Sequence, residues 1–290
     1  MRDLLFLGLI FLGVLSGTRQ VPADDSILPS GMHADLVYGH AAGEMLLLDA
    51  YVPEGEGPFP VAIIVHGGGW IRGDKQDEIS LLFGPLSEAG FTWFSVNYRL
   101  APAFRWPACL EDVEAAVLWV KKYAPRFRGD PERIALIGYS AGGQIAFLAG
   151  MRAKTEARVQ AVAGLAPATD LEQDLEKRGG LSIYLQALFD RPRAVTDESL
   201  ARLREASPIN HVQPGLPPFI LIHGDADQSV PVIQSVQFQE RLRENGVPCD
   251  LILIQGAPHR IAEWERFEPG FRNLLTDRLL NALNNHISEE

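Results

Sequence analysis

A chain of 290 residues with 47% hydrophobic content can bury one large core, and its composition excludes a disordered or collagen-like protein. Acidic side chains outnumber basic ones 37 to 26, a formal charge of -11, which argues against nucleic acid and anionic lipid surfaces as partners. With 2 cysteines and no Cys-x-x-Cys, His-Glu-x-x-His or EF-hand pattern, a metal site has no support in the sequence.

The first segment differs in kind from the rest. Arg2 and Asp3 precede an apolar run from Leu4 to Leu15, and small and polar residues follow from Ser16. This is the layout of a secretory signal peptide, and the run is shorter than the roughly 20 residues a membrane span needs. The expected division is a signal peptide and linker over residues 1–23 and one α/β domain over 24–290. It implies a secreted or periplasmic protein with no stable membrane association after cleavage. Cys109 falls at a helix start and Cys249 at a strand start, so two buried free thiols are expected rather than a disulfide.

His33 to Tyr38 and Leu46 to Val52 read as an antiparallel pair of strands. Val61 to Val65 is rich in β-branched residues and must be a central strand, ending in His66-Gly67-Gly68-Gly69-Trp70. Three successive glycines cost backbone entropy on folding, so something should require them. The reading is that the Gly68 and Gly69 amides point at a substrate oxygen, with Trp70 as a wall of the site and His66 as a structural hydrogen-bonding residue. Asp74 is expected to N-cap a helix running to about Ala89. Phe91 to Asn97 is the next strand, followed by Tyr98-Arg99-Leu100 and a proline-punctuated loop. Leu110, Val113, Val117 and Val120 then form a helical stripe, and Arg99 is expected to pair with one of Glu111, Asp112 and Glu114 as architecture.

Ile134 to Ile137 reads as a strand buried on both faces and Gln144 to Met151 as a buried helix. Between them Gly138-Tyr139-Ser140-Ala141-Gly142 places a serine in a strand-to-helix turn too tight for Cβ atoms at its glycines, which exposes the Ser140 hydroxyl. The Ala141 amide, at the start of a helix, suits a developing oxyanion. Tyr139 beside the serine is a candidate substrate contact. After another strand at Val159 to Leu165, the strand-helix alternation fails over residues 167–207. These are expected to form a short helical, cap-like insertion over the C-terminal edge of the sheet, shaping the pocket. Pro218 to His223 restores the strand pattern and leads into Gly224-Asp225-Ala226-Asp227. Pro231 opens a helix to Asn245 that stops at Gly246, Leu251 to Ile254 is the last strand, and Phe271, Leu275, Leu279 and Ala282 mark a closing helix. Repeated strand-helix alternation specifies a mainly parallel sheet covered on both faces.

Parallel sheets place chemistry beyond the carboxyl ends of their strands, where the loops at 66–70, 138–142, 224–227 and 256–259 all converge. Of 7 histidines only His259 and His286 follow the acidic loop, and His286 lies on the C-terminal tail, so His259 is the expected base. Asp225 and Asp227 compete for the acid. Asp225 lies close to its strand, where it can brace the turn, and Asp227 sits deeper in the loop.

Taken together, His66-Gly67-Gly68-Gly69-Trp70, Asn97-Tyr98-Arg99-Leu100, Gly138-Tyr139-Ser140-Ala141-Gly142-Gly143, Ser207-Pro208 and His223-Gly224-Asp225-Ala226-Asp227 resemble the α/β-hydrolase superfamily. Within it, the chain resembles the group of hormone-sensitive-lipase-like esterases and bacterial feruloyl and acetyl xylan esterases, over about residues 33–285. The resemblance implies an eight-stranded sheet, a catalytic domain over 24–290, and Asp227 as the acid of a triad with Ser140 and His259. It further implies Gly68, Gly69 and Ala141 as the oxyanion hole, and hydrolysis of small-molecule or oligosaccharide esters without a cofactor. Short acyl or aromatic esters are the expected substrates, with feruloyl or acetyl esters of plant polysaccharide among them. The His-Gly-Gly-Gly-Trp motif also resembles kynurenine formamidases, which makes a formamidase the enzymatic alternative and a non-catalytic binding module the third reading. Two features depart from the family pattern and bear on the substrate rather than the reaction: Arg260 follows the histidine where a small or apolar residue is usual, and the insertion at 167–207 matches no familiar one.

Overall fold

The apolar runs assemble into one eight-stranded sheet in a computed structural model that describes residues 26–287. The signal peptide expected over residues 1–23 lies outside the described residues. Strands β1 (Gly31–Ala41) and β2 (Glu44–Val52) form the expected antiparallel pair. They are followed by β3 (Phe59–Val65), β4 (Thr92–Val96), β5 (Gly129–Tyr139), β6 (Ala161–Leu165), β7 (Phe219–Gly224) and β8 (Cys249–Ile254). The order across the sheet is β1-β2-β4-β3-β5-β6-β7-β8, with β2 antiparallel to β4 and every later pairing parallel. Val61 to Val65 and Ile134 to Ile137 are fully buried, which is why they read as unbroken apolar runs rather than alternating ones.

Helices cover both faces. On one side α2 (Ala108–Tyr123), α3 (Ala141–Arg152) and α7 (Ile233–Glu244) pack Val113, Val117, Phe147 and Phe238 onto the sheet. Phe147, Phe219 and Phe238 form a ring cluster with centroids 5.1 to 5.5 Å apart, a geometry that adds to simple area burial. On the other side α1 (Phe83–Glu88) and α8 (Phe271–Ile287) bury Leu86, Phe271, Leu275 and Leu279. Between β6 and β7 the chain forms three short helices: α4 (Gln173–Arg178), α5 (Ile183–Phe189) and α6 (Asp197–Ala206). A reciprocal cap between Thr196 and Ser199 starts α6. No helix among the described residues is long and apolar enough to cross a membrane.

Three local expectations are corrected. Asp74 caps no helix. Its Oδ1 accepts from the Gln76 amide and its Oδ2 from Asn97 Nδ2, and the expected helix is a 3₁₀ turn at Glu78–Leu82 followed by the six-residue α1. Strand β5 begins at Gly129 rather than Ile134, because Gly129 to Arg133 is polar and only its backbone pairing identifies it as strand. Pro231 precedes α7, which begins at Ile233, and the turn is closed by the Gln234 amide donating to the Pro231 carbonyl at 3.0 Å. Both thiols are free, Cys109 buried and Cys249 half-buried, and burial pushes each up to about 12.

Two polar clusters secure the segments that lead to the site. Lys75 is buried with its Nζ 3.0 Å from Asp35 and 3.1 Å from the fully buried Asp49, while Ser95 Oγ donates to its carbonyl at 2.6 Å. This ties the loop after β3 to β1, β2 and β4. Arg99 makes the expected pair with Asp112, Nη2 to Oδ1 at 2.7 Å, and the Arg99 amide also donates to Asp112 Oδ2. Glu111 lies 3.4 Å from the same guanidinium.

Candidate active site

Ser140 occupies the single position between the end of β5 and the start of α3, with φ 54 and ψ -118. Positive φ is uncommon for a residue with a side chain, and such strain persists only where the surroundings over-determine it. They do so here. The Ser140 amide donates to the Leu165 carbonyl at 2.9 Å, and its own carbonyl accepts from Gln144 at 3.2 Å. Gly142 explains the motif's second glycine: a Cβ there would sit 2.2 Å from the His66 carbonyl oxygen and 2.4 Å from that of Val65. The first turn of α3 therefore lies directly on the end of β3, which brings the serine and the glycine loop together. Gly142→Ala is expected to destabilise the fold by at least about 4 kcal/mol, read as the shift of the urea midpoint, because two backbone carbonyls must move. A midpoint within the scatter of wild type would mean the packing is not as described.

The candidate base and acid arrive from the two strands at the margin. His259 follows β8, and its Nε2 is 2.9 Å from Ser140 Oγ while its Nδ1 is 2.6 Å from Asp227 Oδ2. Asp227 follows β7, so of the two aspartates left open above, Asp227 is the one that reaches the imidazole. Asp225 accepts the Gly256 amide at 2.6 Å and braces the turn that carries His259. Burial of Asp227 favours its neutral form, but hydrogen bonds from His223 and His259 and the Val230 amide outweigh it and hold the carboxyl well below the usual carboxylate range.

Opposite the imidazole lies the glycine loop. Gly68 has φ +120, and a Cβ there would fall 2.0 Å from the Arg72 carbonyl, so the loop folds back on itself in a way that requires glycine. No acceptor among the described residues takes the Gly68, Gly69 or Ala141 amide hydrogen, and all three residues line one cavity with Ser140 and His259. That cavity measures about 650 Å³. His66 is structural, as expected: its Nδ1 lies 2.7 Å from the Gly67 carbonyl and its ring stacks on Tyr98 at 4.3 Å. Burial lowers its proton affinity.

Trp70 and Tyr139 both line the cavity, but each has a second task. The Trp70 indole is only 6% exposed and donates from Nε1 to Gln144 Oε1 at 2.8 Å, while Gln144 Nε2 donates to the Ala206 carbonyl at 2.7 Å. The wall is thus pinned to the serine helix and to the end of α6. Tyr139 donates its hydroxyl to the His259 carbonyl at 3.1 Å, with ring centroids 5.4 Å apart, so it supports the histidine from beneath.

Several contributors lacked a sequence signal. Tyr184 of α5 lies against Gly69, where an added Cβ would meet its ring at 2.5 Å. Lys177 and Arg178 of α4 donate to the Gln228 and Ser229 carbonyls, tying the insertion to the acid loop. The unusual Arg260 is not among the residues that line the cavity and pairs with Glu78, which is. In the sequence His223 stands out only as part of the His-Gly-Asp-Ala-Asp motif, yet a histidine inside an apolar strand must find partners.

Comparison with known proteins places the chain. The BD-FAE family profile matches residues 48–242, two thirds of the sequence. The chain belongs to the BD-FAE family. The matched span begins in β2 and ends within α7, so it takes in Ser140 and Asp227 and stops short of His259. Among curated relatives of this BD-FAE chain, Esterase LipC of Mycobacterium tuberculosis is 34% identical over 202 residues, covering 64% of this chain and 49% of its own. Esterase LipQ of the same organism is 33% identical over 226 residues, covering 73% and 53%. The chain spans about half the length of the curated relatives it matches. Among solved structures, a truncated form of a carbohydrate esterase from gut microbiota superposes with a TM-score of 0.77 at 25% identity, over 91% of this chain and 99% of that one. The Thermogutta terrifontis esterase Est2 shares the fold, with a TM-score of 0.67 at 24% identity over 89% and 92%. The architecture is the α/β-hydrolase fold.

Proposed function

We propose that this chain is an exported serine carboxylic-ester hydrolase in which Ser140, His259 and Asp227 act as nucleophile, base and acid. The reading rests on the continuous hydroxyl-imidazole-carboxylate chain, 2.9 Å from Oγ to Nε2 and 2.6 Å from Nδ1 to Oδ2. Ser140 Oγ attacks the acyl carbon and His259 Nε2 takes the hydroxyl proton as the C–O bond forms. The oxyanion that develops is held by the Gly68, Gly69 and Ala141 amides, the last at the positive end of α3. Collapse expels the alcohol, which takes its proton from His259, and leaves an acyl-Ser140. Water, deprotonated by the same imidazole, attacks the acyl carbon; the acyl–Oγ bond then breaks, Ser140 Oγ takes the proton back from His259 Nε2, and the acid leaves. Asp227 holds Nδ1–H throughout and stabilises the imidazolium.

The domain is read as residues 24–290, with the 167–207 insertion supplying Tyr184 and Leu185 to the cavity. Export rests on the apolar run from Leu4 to Leu15. Short acyl or aromatic esters are the proposed substrates, including acetyl or feruloyl groups on plant polysaccharide. This is supported by the BD-FAE match, the esterase relatives and the truncated carbohydrate esterase of which the chain covers 99%. One panel tests it: p-nitrophenyl acetate, methyl ferulate, acetylated xylan and N-formylkynurenine, with fluorophosphonate labelling of the serine. Ester turnover with labelling at Ser140 is expected. Preference for the formamide would replace ester hydrolysis by amide hydrolysis, and an unlabelled, inert protein would favour a binding module.

A further inference from the structure

Asp227 carries a second imidazole. His223, in β7 and fully buried, sets its Nε2 3.1 Å from Asp227 Oδ2, the same oxygen that His259 Nδ1 approaches at 2.6 Å. His223 Nε2 also lies 3.0 Å from the Val230 carbonyl. Both neighbours are acceptors, so Nε2 must carry a hydrogen. The other nitrogen, Nδ1, is 2.7 Å from the hydroxyl of Ser235 on α7, which can donate to the ring when Nδ1 is bare and accept from it when Nδ1 is protonated. The two acceptors at Nε2 therefore set the tautomer of His223, and Ser235 holds the ring at Nδ1.

The carboxylate is saturated by this arrangement. Oδ1 accepts the Ser229 and Val230 amides at 2.7 and 2.9 Å, and Oδ2 accepts His223 and His259. Four donors match the roughly four lone-pair sites of a carboxylate, so Asp227 has one orientation that satisfies all of them. Two backbone amides fix Oδ1. Nothing on the backbone holds Oδ2, the oxygen that faces the base. Of its two donors one is the histidine that must change charge during a reaction, and the other is His223.

We propose that His223 is a positioning residue for the reaction. Resting on the esterase reading above, its Nε2–H anchors Asp227 Oδ2 and so holds the acid in line with the Nδ1–H it must accept. Ser235 acts one step further out by fixing the ring. Neither residue lines the cavity, so neither should alter substrate binding.

The test compares wild type, His223→Leu, His223→Gln and Ser235→Ala on p-nitrophenyl acetate, with far-UV circular dichroism to verify folding. His223→Leu is expected to lower kcat roughly tenfold or more, the scale of one hydrogen bond to a charged group, with KM within about twofold. Glutamine, whose amide keeps a donor near the Nε2 position, should recover most of the loss. The downfield proton resonance between His259 and Asp227 should shift in His223→Leu and return toward wild type in His223→Gln. A purely structural role would lower the amount of folded protein and leave kcat per folded molecule and that resonance unchanged, which overturns the proposal. If His223→Leu does not fold, Ser235→Ala decides: lowered kcat at constant KM supports the role, and unchanged kcat overturns it. Wild-type protein that neither hydrolyses esters nor labels with a fluorophosphonate overturns the esterase reading and this role with it, whereas an active wild type matched by its variants overturns this role alone.

Discussion

Replacing Ser140 with alanine is expected to lower kcat for p-nitrophenyl acetate by about 10⁶-fold and to abolish fluorophosphonate labelling. The size of the effect follows from the cooperation of the three side chains. Without Oγ there is no atom for His259 to activate, and only the amides and the cavity remain to help water attack. Folding should be unaffected, because Ser140 owes its φ of 54 to backbone contacts that alanine keeps. Hydrolysis and labelling measured on the same folded preparation decide the matter. Activity retained above about one thousandth of wild type would exceed what binding and oxyanion stabilisation supply, and would mean another group attacks the ester.

Asp227→Asn is expected to lower kcat by about 10⁴-fold with little change in KM. All four contacts to Asp227 come from donors, and an asparagine turns one of its two oxygens into a fifth donor. If the amide nitrogen faces the two backbone N–H groups, those bonds are lost. If it faces His259, Nδ1 must become an acceptor, the ring proton moves to Nε2, and that proton then points at Ser140 Oγ. Such a ring cannot take the hydroxyl proton. Asp225→Asn should stay within about tenfold of wild type, since its oxygen can still accept the Gly256 amide. A larger loss in Asp225→Asn than in Asp227→Asn would reverse the roles of the two residues.

How much of this was legible beforehand differs by element. Val61 to Val65 and Ile134 to Ile137 announce themselves because both faces of a central parallel strand are apolar, and the loops after them carry glycines where Cβ atoms would collide. His259 followed from chain order alone. The start of β5 and the turn at Asp74 were misread because polar residues there are held by backbone pairing and by side chains distant in sequence, such as Asn97, which leave no period to detect. Spacing alone does not separate Asp225 from Asp227, two acids two residues apart; the family resemblance favours Asp227, and it is Asp227 that lies within reach of His259 while Asp225 holds the Gly256 amide. His223 was in plain sight, but a histidine inside a strand reveals that it needs partners without revealing which.

The position of the strands within the sheet has a consequence for how function ends under stress. Ser140 hangs from β5, which is bonded to β3 on one side and β6 on the other, whereas His259 hangs from β8, which is bonded to β7 alone. Opening a border strand exposes less surface than opening a middle one and so happens more often. Warming or mild denaturant would then withdraw the imidazole while Ser140 and its surroundings stay assembled, and ester turnover is expected to fall before the fold melts.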